Sequence, residues 1–211
     1  MPNASKKHEY KSFGGHGMDV GVNRADDLDK AILGELKDYG EVSVLDLGCG
    51  AGGQAVRMAA VGARVTALDK YDFSQQFLNH NIEFIQGDLR DLPKLLAERQ
   101  FDFVICQRTL HYLRYSEALL LLRFLKQITK NKLYLSTTGI DSEIGNNYPA
   151  KENVVEDRFG KLQDFTQELF GITESVCLYS QAEFEQLLED SGWQIEKCWQ
   201  SAFGNIKAIG K

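Results

Sequence analysis

The sequence predicts an α/β fold, doubly wound about a mostly parallel sheet. Three observations carry that prediction. Short apolar runs alternate with helical patterns from residue 42 to residue 138, the first run breaks into the glycine-rich turn "VLDLGCGAGG" at 44–53, and aspartates stand at the ends of three successive strands. At 211 residues the chain is long enough to bury one sizeable core, so 1–211 is expected to form a single domain.

A polar opening, 1–24, precedes "RADDLDKAILGELKDYG", in which Leu28, Ile32 and Leu36 recur at helical spacing and Gly40 is the expected C-cap. The pattern then predicts a strand at 42–48, a helix at 53–61, a strand at 63–69 and a short helix at 74–80. It continues with a strand at 83–87, a helical stretch at 92–99, a strand at 101–107, a helix at 116–128 and a strand at 132–138. Residues 139–179 are polar and turn-rich, with one short helix expected near 161–170, and they read as an insertion. "SQAEFEQLLEDSGW" opens with Ser180 and Glu183 at capping-box spacing and places Phe184, Leu187 and Leu188 on one face before Gly192 stops it. The last two runs, "QIEKCWQSAF" and "IKAIG", are joined tightly, so they are expected to pair as an antiparallel hairpin on the sheet edge.

Composition narrows the classes. Hydrophobic residues at 43% and charged residues at 26% are ordinary for a globular chain. The apolar run 118–122 is far too short to span a bilayer, and the first twenty residues lack the apolar stretch of a secretory leader, so a cytoplasmic location is expected. Four cysteines (Cys49, Cys106, Cys177 and Cys198) form no C-x-x-C pair, so they are read as reduced and structural, with no metal site expected. Twenty-four basic against thirty acidic residues gives a net charge of -6, which disfavours a large phosphate-backbone footprint. A small-molecule partner is expected rather than nucleic acid.

In doubly wound sheets, ligands bind beyond the carboxyl ends of the strands. Gly48, Gly50 and Gly52 let the backbone turn sharply there and aim the next helix N-terminus at a ligand. Nicotinamide and flavin enzymes use similar turns. Asp69 lies 21 residues after Gly48, where a carboxylate can accept from both hydroxyls of a ribose. The alternative is an N-cap for the next helix, and Asp72 is a nearby rival. Asp88 ends the third strand and can accept from an adenine amino group while the Leu89 N–H donates to the ring; otherwise it is a turn residue before Pro93. Asp46 stands just ahead of the glycines.

In their order and spacing, "VLDLGCGAGG", "VTALD", "FIQGDLRDLP" and "FDFVICQRTLHYL" resemble the successive motifs of the class I S-adenosylmethionine-dependent methyltransferases, in the small-molecule-type branch. The resemblance covers about residues 42–138, and the helix and hairpin at 180–210 resemble the family's remaining topology. It implies a Rossmann-like, seven-stranded sheet with a reversed last strand, S-adenosylmethionine as cofactor and S-adenosylhomocysteine as product. It further implies that Asp46, Gly48 and Gly50, with Cys49 and Gly52 of the same loop, border the methionine part of the cofactor. Asp69 would hold the ribose, Asp88 and Leu89 the adenine, and Cys106 and Gln107 would face the methionine amine and methyl group. Arg24 is a candidate partner for the cofactor carboxylate, or else an ordinary charge at a helix start. Lys70 departs from the pattern, since an apolar residue commonly stands there. Its stem can cover the adenine by snorkelling, or its head can suit a 2′-phosphate, which keeps an NADP-dependent oxidoreductase as an alternative. Asp46, Asp88 and the helix ahead of the first strand weigh against that alternative.

Methyl transfer from a sulfonium is an in-line displacement in which the protein supplies position and electrostatics. His111 is the best-placed imidazole for a base, and its competing reading is structural packing at a helix start. Arg108 and Tyr112 flank the same exit, and Tyr148 and Phe159 lie in the insertion; all four are substrate-side candidates with packing or surface alternatives. "FGGHGMDVG" and 139–179 are candidates for a lid over the methyl group. "CQRT" stands where an [N/D]-P-P-[Y/F] motif would signal amide or exocyclic-amine methylation, and Cys106 has no preceding proline. The expected function is methylation of a small acceptor. A protein side-chain methyltransferase and a non-catalytic binding module are the alternatives.

Overall fold

The computed structural model describes residues 11–12, 14–19, 25–78 and 80–211. Two short strands, β1 (Lys11–Ser12) and β2 (Met18–Asp19), pair antiparallel near its start. Helix α1 (Asp27–Leu36) is opened by Asp26, whose carboxylate accepts the Leu28 and Asp29 N–H groups (2.9 and 3.0 Å) while Asp29 accepts the Asp26 N–H in return. Gly40 is not its C-cap. The helix ends at Leu36, the last buried residue of its apolar face, with Lys37 as its C-cap, and residues 37–41 are exposed.

Five parallel strands follow: β3 (Ser43–Leu47), β4 (Arg64–Asp69), β5 (Ile82–Gln86), β6 (Phe101–Gln107) and β7 (Thr129–Thr138). Their crossovers carry α2 (Gly53–Ala60), α3 (Leu92–Leu95) and α4 (Tyr115–Ile128). The expected helix at 74–80 is only a 3-10 turn, Ser74–Gln76, and the stretch from 92 shrinks to one α-turn preceded by the 3-10 turn Leu89–Asp91. After the insertion, which contains α5 (Asp164–Phe170), helix α6 (Gln181–Asp190) leads into β8 (Ile195–Gln200) and β9 (Asn205–Gly210). The sheet order is β5-β4-β3-β6-β7-β9-β8, with β9 antiparallel to both neighbours and β8 at the edge.

Strand parity explains why these segments read as continuous apolar runs. Val44, Phe103 and Ile105 face a cluster with α1 and α2, built on Leu28, Ile32 and Met58. Leu45, Leu47, Val104 and Cys106 face the opposite cluster, built on Leu122, Leu125, Phe184 and Leu188 of α4 and α6. Both faces are buried, as parallel strands require. The chain winds outward from β3 to β5, then restarts at β6 on the other side, so the crevice between β3 and β6 is the topological switch point.

The insertion has its own small core of Ile140, Tyr148, Leu162, Ile172, Val176 and Leu178. Tyr148 packs in this core and does not line the cavity: its hydroxyl is buried between the Arg158 and Val176 carbonyls, within donating reach of either. Arg158, 5% exposed, ties the insertion to α6. Its guanidinium grips the Glu183 carboxylate with two bonds (2.6 and 2.8 Å) and also donates to the Asn153 and Leu178 carbonyls. Glu183 simultaneously accepts the Ser180 N–H (2.8 Å), completing the capping box of α6. Among the described residues no helix is long and apolar enough to cross a membrane.

Candidate active site

A cavity of about 390 Å³ opens at the carboxyl ends of β3, β4, β5 and β6. Its floor is the glycine loop. The Gly48 and Cys49 N–H groups both donate to the Leu68 carbonyl (2.8 and 3.1 Å), which folds the loop back over the end of β4. Gly48 has φ +66°, and a Cβ there would overlap the Thr109 side chain, itself fixed by a hydroxyl bond to the Gln107 carbonyl (2.9 Å). Gly48 is thus required twice, by its backbone conformation and by the approach of the β6 exit. Gly48→Ala is expected to destabilise the fold by about 1–2 kcal/mol from conformation alone, plus a clash that Thr109→Ala partly relieves in the double variant. Urea unfolding of the three variants checks this, and a Gly48→Ala protein as stable as wild type would refute it.

Gly52 is placed differently from the expectation. It has φ +80°, caps α2 without a side-chain bond, and sits against the Phe77 ring instead of lining the cavity. Gly53 and Gln54, at the start of α2, line the cavity in its place.

Three strand-end aspartates converge on this space, and Asp29 of α1 also lines it. Asp69, at the end of β4, accepts the Gly50 N–H (2.9 Å) with one carboxylate oxygen and the Tyr71 N–H (3.0 Å) with the other. These bonds fix the carboxylate against the loop. Asp46 is buried at the end of β3, and its charge helps push the neighbouring Cys106 thiol up. Asp88 caps the 3-10 turn by accepting the Arg90 N–H (2.9 Å), and its carboxylate is gripped by the Arg90 guanidinium (3.0 and 3.1 Å). Arg90 also bonds Glu117 of α4 (2.8 Å), so Asp88 combines the turn role with a position on the cavity wall. Cys49, Gly50, Lys70, Leu89 and Gln107 also line the cavity. Arg24 lies outside the described residues.

Cys106 does not face the cavity. Its side chain is fully buried in the α4–α6 cluster, and burial pushes its thiol up to about 12, so it is inert. Gln107, one residue on, points the other way and donates to the Gln54 side chain (2.8 Å).

Arg108, His111 and Tyr112 all reach the cavity. His111 is 2% exposed, and the Thr138 N–H donates to its Nδ1 over a long 3.4 Å. Burial first, then Arg108 and His16, push its pKa down to about 3. A base works best with a pKa near the operating pH, so this neutral imidazole is poorly suited to take the acceptor's proton. It does shape stability. The unfolded chain protonates His111 near pH 6.5 while the fold refuses the proton until about 3, so its stabilisation is full above pH 6.5 and is lost as pH falls toward 3. Between pH 4.5 and 6, the stability difference between wild type and His111→Asn is expected to change by about 1.4 kcal/mol per pH unit. Parallel urea-unfolding profiles for the two proteins would contradict this.

The sequence did not single out His16 or Tyr71. The Tyr112 hydroxyl donates to the His16 carbonyl (2.8 Å), the Tyr71 hydroxyl meets His16 Nδ1 (3.2 Å), and the His16 ring stacks edge-on against Tyr112 at 4.5 Å. Burial lowers the His16 pKa. Residues 14–17 also bond the insertion through backbone groups, Gly17 N–H to the Gly171 carbonyl and Thr173 N–H to the Gly15 carbonyl (2.9 and 2.8 Å). This strap and the insertion's Phe159, Phe170 and Ile172 form the cavity's outer wall. Among the described residues no group of three metal-ligating side chains gathers.

Residues 44–132 match a family model described as a methyltransferase domain. Over 76 residues the chain is 37% identical to the cypemycin N-terminal methyltransferase of a Streptomyces species. That stretch is 34% of this chain and 30% of the relative, so the match spans under a third of the relative's length. Among solved structures, an S-adenosylmethionine-dependent methyltransferase from Mesorhizobium loti superposes with a TM-score of 0.66 at 18% identity, covering 87% of this chain and 97% of that one. The magnesium protoporphyrin IX methyltransferase of Synechocystis PCC 6803, solved with bound SAH, gives 0.58 at 19% identity over 86% and 80% of the two chains. At these identities the two structures speak for the fold.

Proposed function

We propose that the chain, whose residues 44–132 match a methyltransferase-domain model, is an S-adenosylmethionine-dependent methyltransferase acting on a small acceptor bound beside the cofactor in the switch-point cavity. The observation that carries this reading is the Asp69 carboxylate, tied to the Gly50 N–H of a loop stripped of side chains. The residues present fit the cofactor. Gly48 and Gly50 leave bare backbone on the cavity floor, Asp69 stands where ribose hydroxyls can donate to it, and Leu89 offers an apolar surface to the adenine beside Asp88. When bound, S-adenosylmethionine supplies the electrophilic methyl group.

The chain's own residues orient the partners and exclude water. The strap of residues 14–17 and the insertion act as a lid, with the Tyr112–His16 bond as its latch. Phe159, Phe170 and Ile172 present an apolar wall to the acceptor. The low basicity of His111 favours an acceptor that needs no strong base, such as a neutral amine or an already ionised oxygen or sulfur. A second reading, a peptide N-terminal amine as acceptor, draws on the cypemycin relative and on Glu174, a carboxylate on the cavity wall.

Incubation with methyl-labelled S-adenosylmethionine, separately with a small-metabolite extract and with short peptides, tests both. A labelled small molecule is the expected result. Label confined to peptides would favour the second reading, and no label in either would contradict methyl transfer.

A further inference from the structure

A second cavity, of about 370 Å³, lies between the start of α1 and the β8–β9 turn, and it shares Asp29, Arg108 and Asn205 with the first. Arg108 is the only non-glycine residue at positive φ (+50°) among the described residues. A left-handed conformation costs an ordinary residue about 1–2 kcal/mol, so it persists only where the surroundings enforce it. Here the Arg108 N–H is held by both the carbonyl and the hydroxyl of Ser136 on β7 (2.9 and 3.1 Å). That backbone turn carries the guanidinium to the boundary between the two cavities.

Among the described residues the guanidinium has no partner there. Its Nε is buried without a hydrogen bond, and no carboxylate of the described residues pairs with it. The nearby acids are committed elsewhere: Asp29 to Arg57 (3.1 Å), Asp26 to Lys207 (2.7 Å), and Asp27 to Lys207 and the Trp199 indole. Leaving a partly buried cation unpaired is costly, and the planar fork of arginine matches a carboxylate bidentately.

We propose that Arg108 binds a ligand carboxylate at the boundary of the two cavities, either the amino-acid end of the cofactor or a carboxylate on the acceptor. This rests on the methyl-transfer reading. The acceptor then extends from the first cavity toward the second, or the cofactor's charged end occupies that boundary.

Calorimetry with S-adenosylhomocysteine and with 5′-methylthioadenosine, which lacks the amino-acid end, separates the sources. Arg108→Met removes the charge and keeps a long stem; Arg108→Asn removes it with a residue that tolerates positive φ, should the first fail to fold. Weakening of S-adenosylhomocysteine by about tenfold or more, with methylthioadenosine within about twofold, assigns Arg108 to the cofactor carboxylate. If both affinities hold, labelled product from the metabolite extract is separated by anion exchange. A loss of about tenfold or more in the retained, anionic product assigns Arg108 to the acceptor. Equal weakening of both nucleosides, or unchanged affinities with no Arg108-dependent anionic product, overturns the proposal. If wild type binds neither nucleoside, the methyl-transfer reading itself fails and takes this assignment with it.

Discussion

Replacing Asp69 with alanine weakens S-adenosylhomocysteine binding about ten- to hundredfold, the loss expected when charge-assisted bonds from a ribose are removed. The carboxylate accepts the Gly50 and Tyr71 N–H groups, so the change also frees the loop it organises. Asp69→Asn retains one acceptor oxygen and turns the other into a donor, so its loss should fall between wild type and alanine. Calorimetry on the three proteins measures this. Equal affinities would remove Asp69 from the nucleoside site, whereas a loss of thermal stability without a loss of affinity would make it a loop residue only.

The second large effect concerns the cover of the cavity. Arg158→Ala is expected to cost about 2–3 kcal/mol, since it strips the half-buried Glu183 carboxylate of its partner and leaves the Asn153 and Leu178 carbonyls without their donor. Burial opposes ionisation of Glu183, while Arg158 and the Ser180 bonds hold its pKa below the usual carboxylate range. With Arg158 gone, Glu183 loses most of that compensation and the capping box of α6 weakens with it. Because the same guanidinium joins the insertion to α6, limited proteolysis should cut first within 139–179. Denaturant unfolding gives the magnitude; a cost under about 1 kcal/mol would place the pair among weak, solvent-screened ones.

The central strands were legible because both sheet faces are buried there, so they appear as short apolar runs such as "FVIC" at 103–106. The same burial hid which way each residue points. Val104 and Cys106 share one parity and Phe103 and Ile105 the other, but nothing in the run says which side of its end opens to the cavity, and Cys106 fell on the closed side. The glycine loop and the strand-end aspartates were legible because their chemistry resides in residue type and spacing. His16 and Tyr71 were not, being 55 positions apart and joined through a strap whose contacts with the insertion are largely backbone bonds that leave no side-chain signature. Tyr148 misled for a related reason. An aromatic residue in a polar insertion fits a ligand wall as well as a small local core, and only the partners of its hydroxyl decide between them.

The measurement that bears most directly on the central claim is a crystal structure of the chain with S-adenosylhomocysteine. The ribose is expected within hydrogen-bond reach of Asp69, the adenine beside Asp88 and Leu89, and the sulfur turned toward the wall formed by His16, Tyr112 and Phe170. A nucleoside bound elsewhere on the molecule, or excluded from the switch-point cavity at saturating concentration, would contradict it.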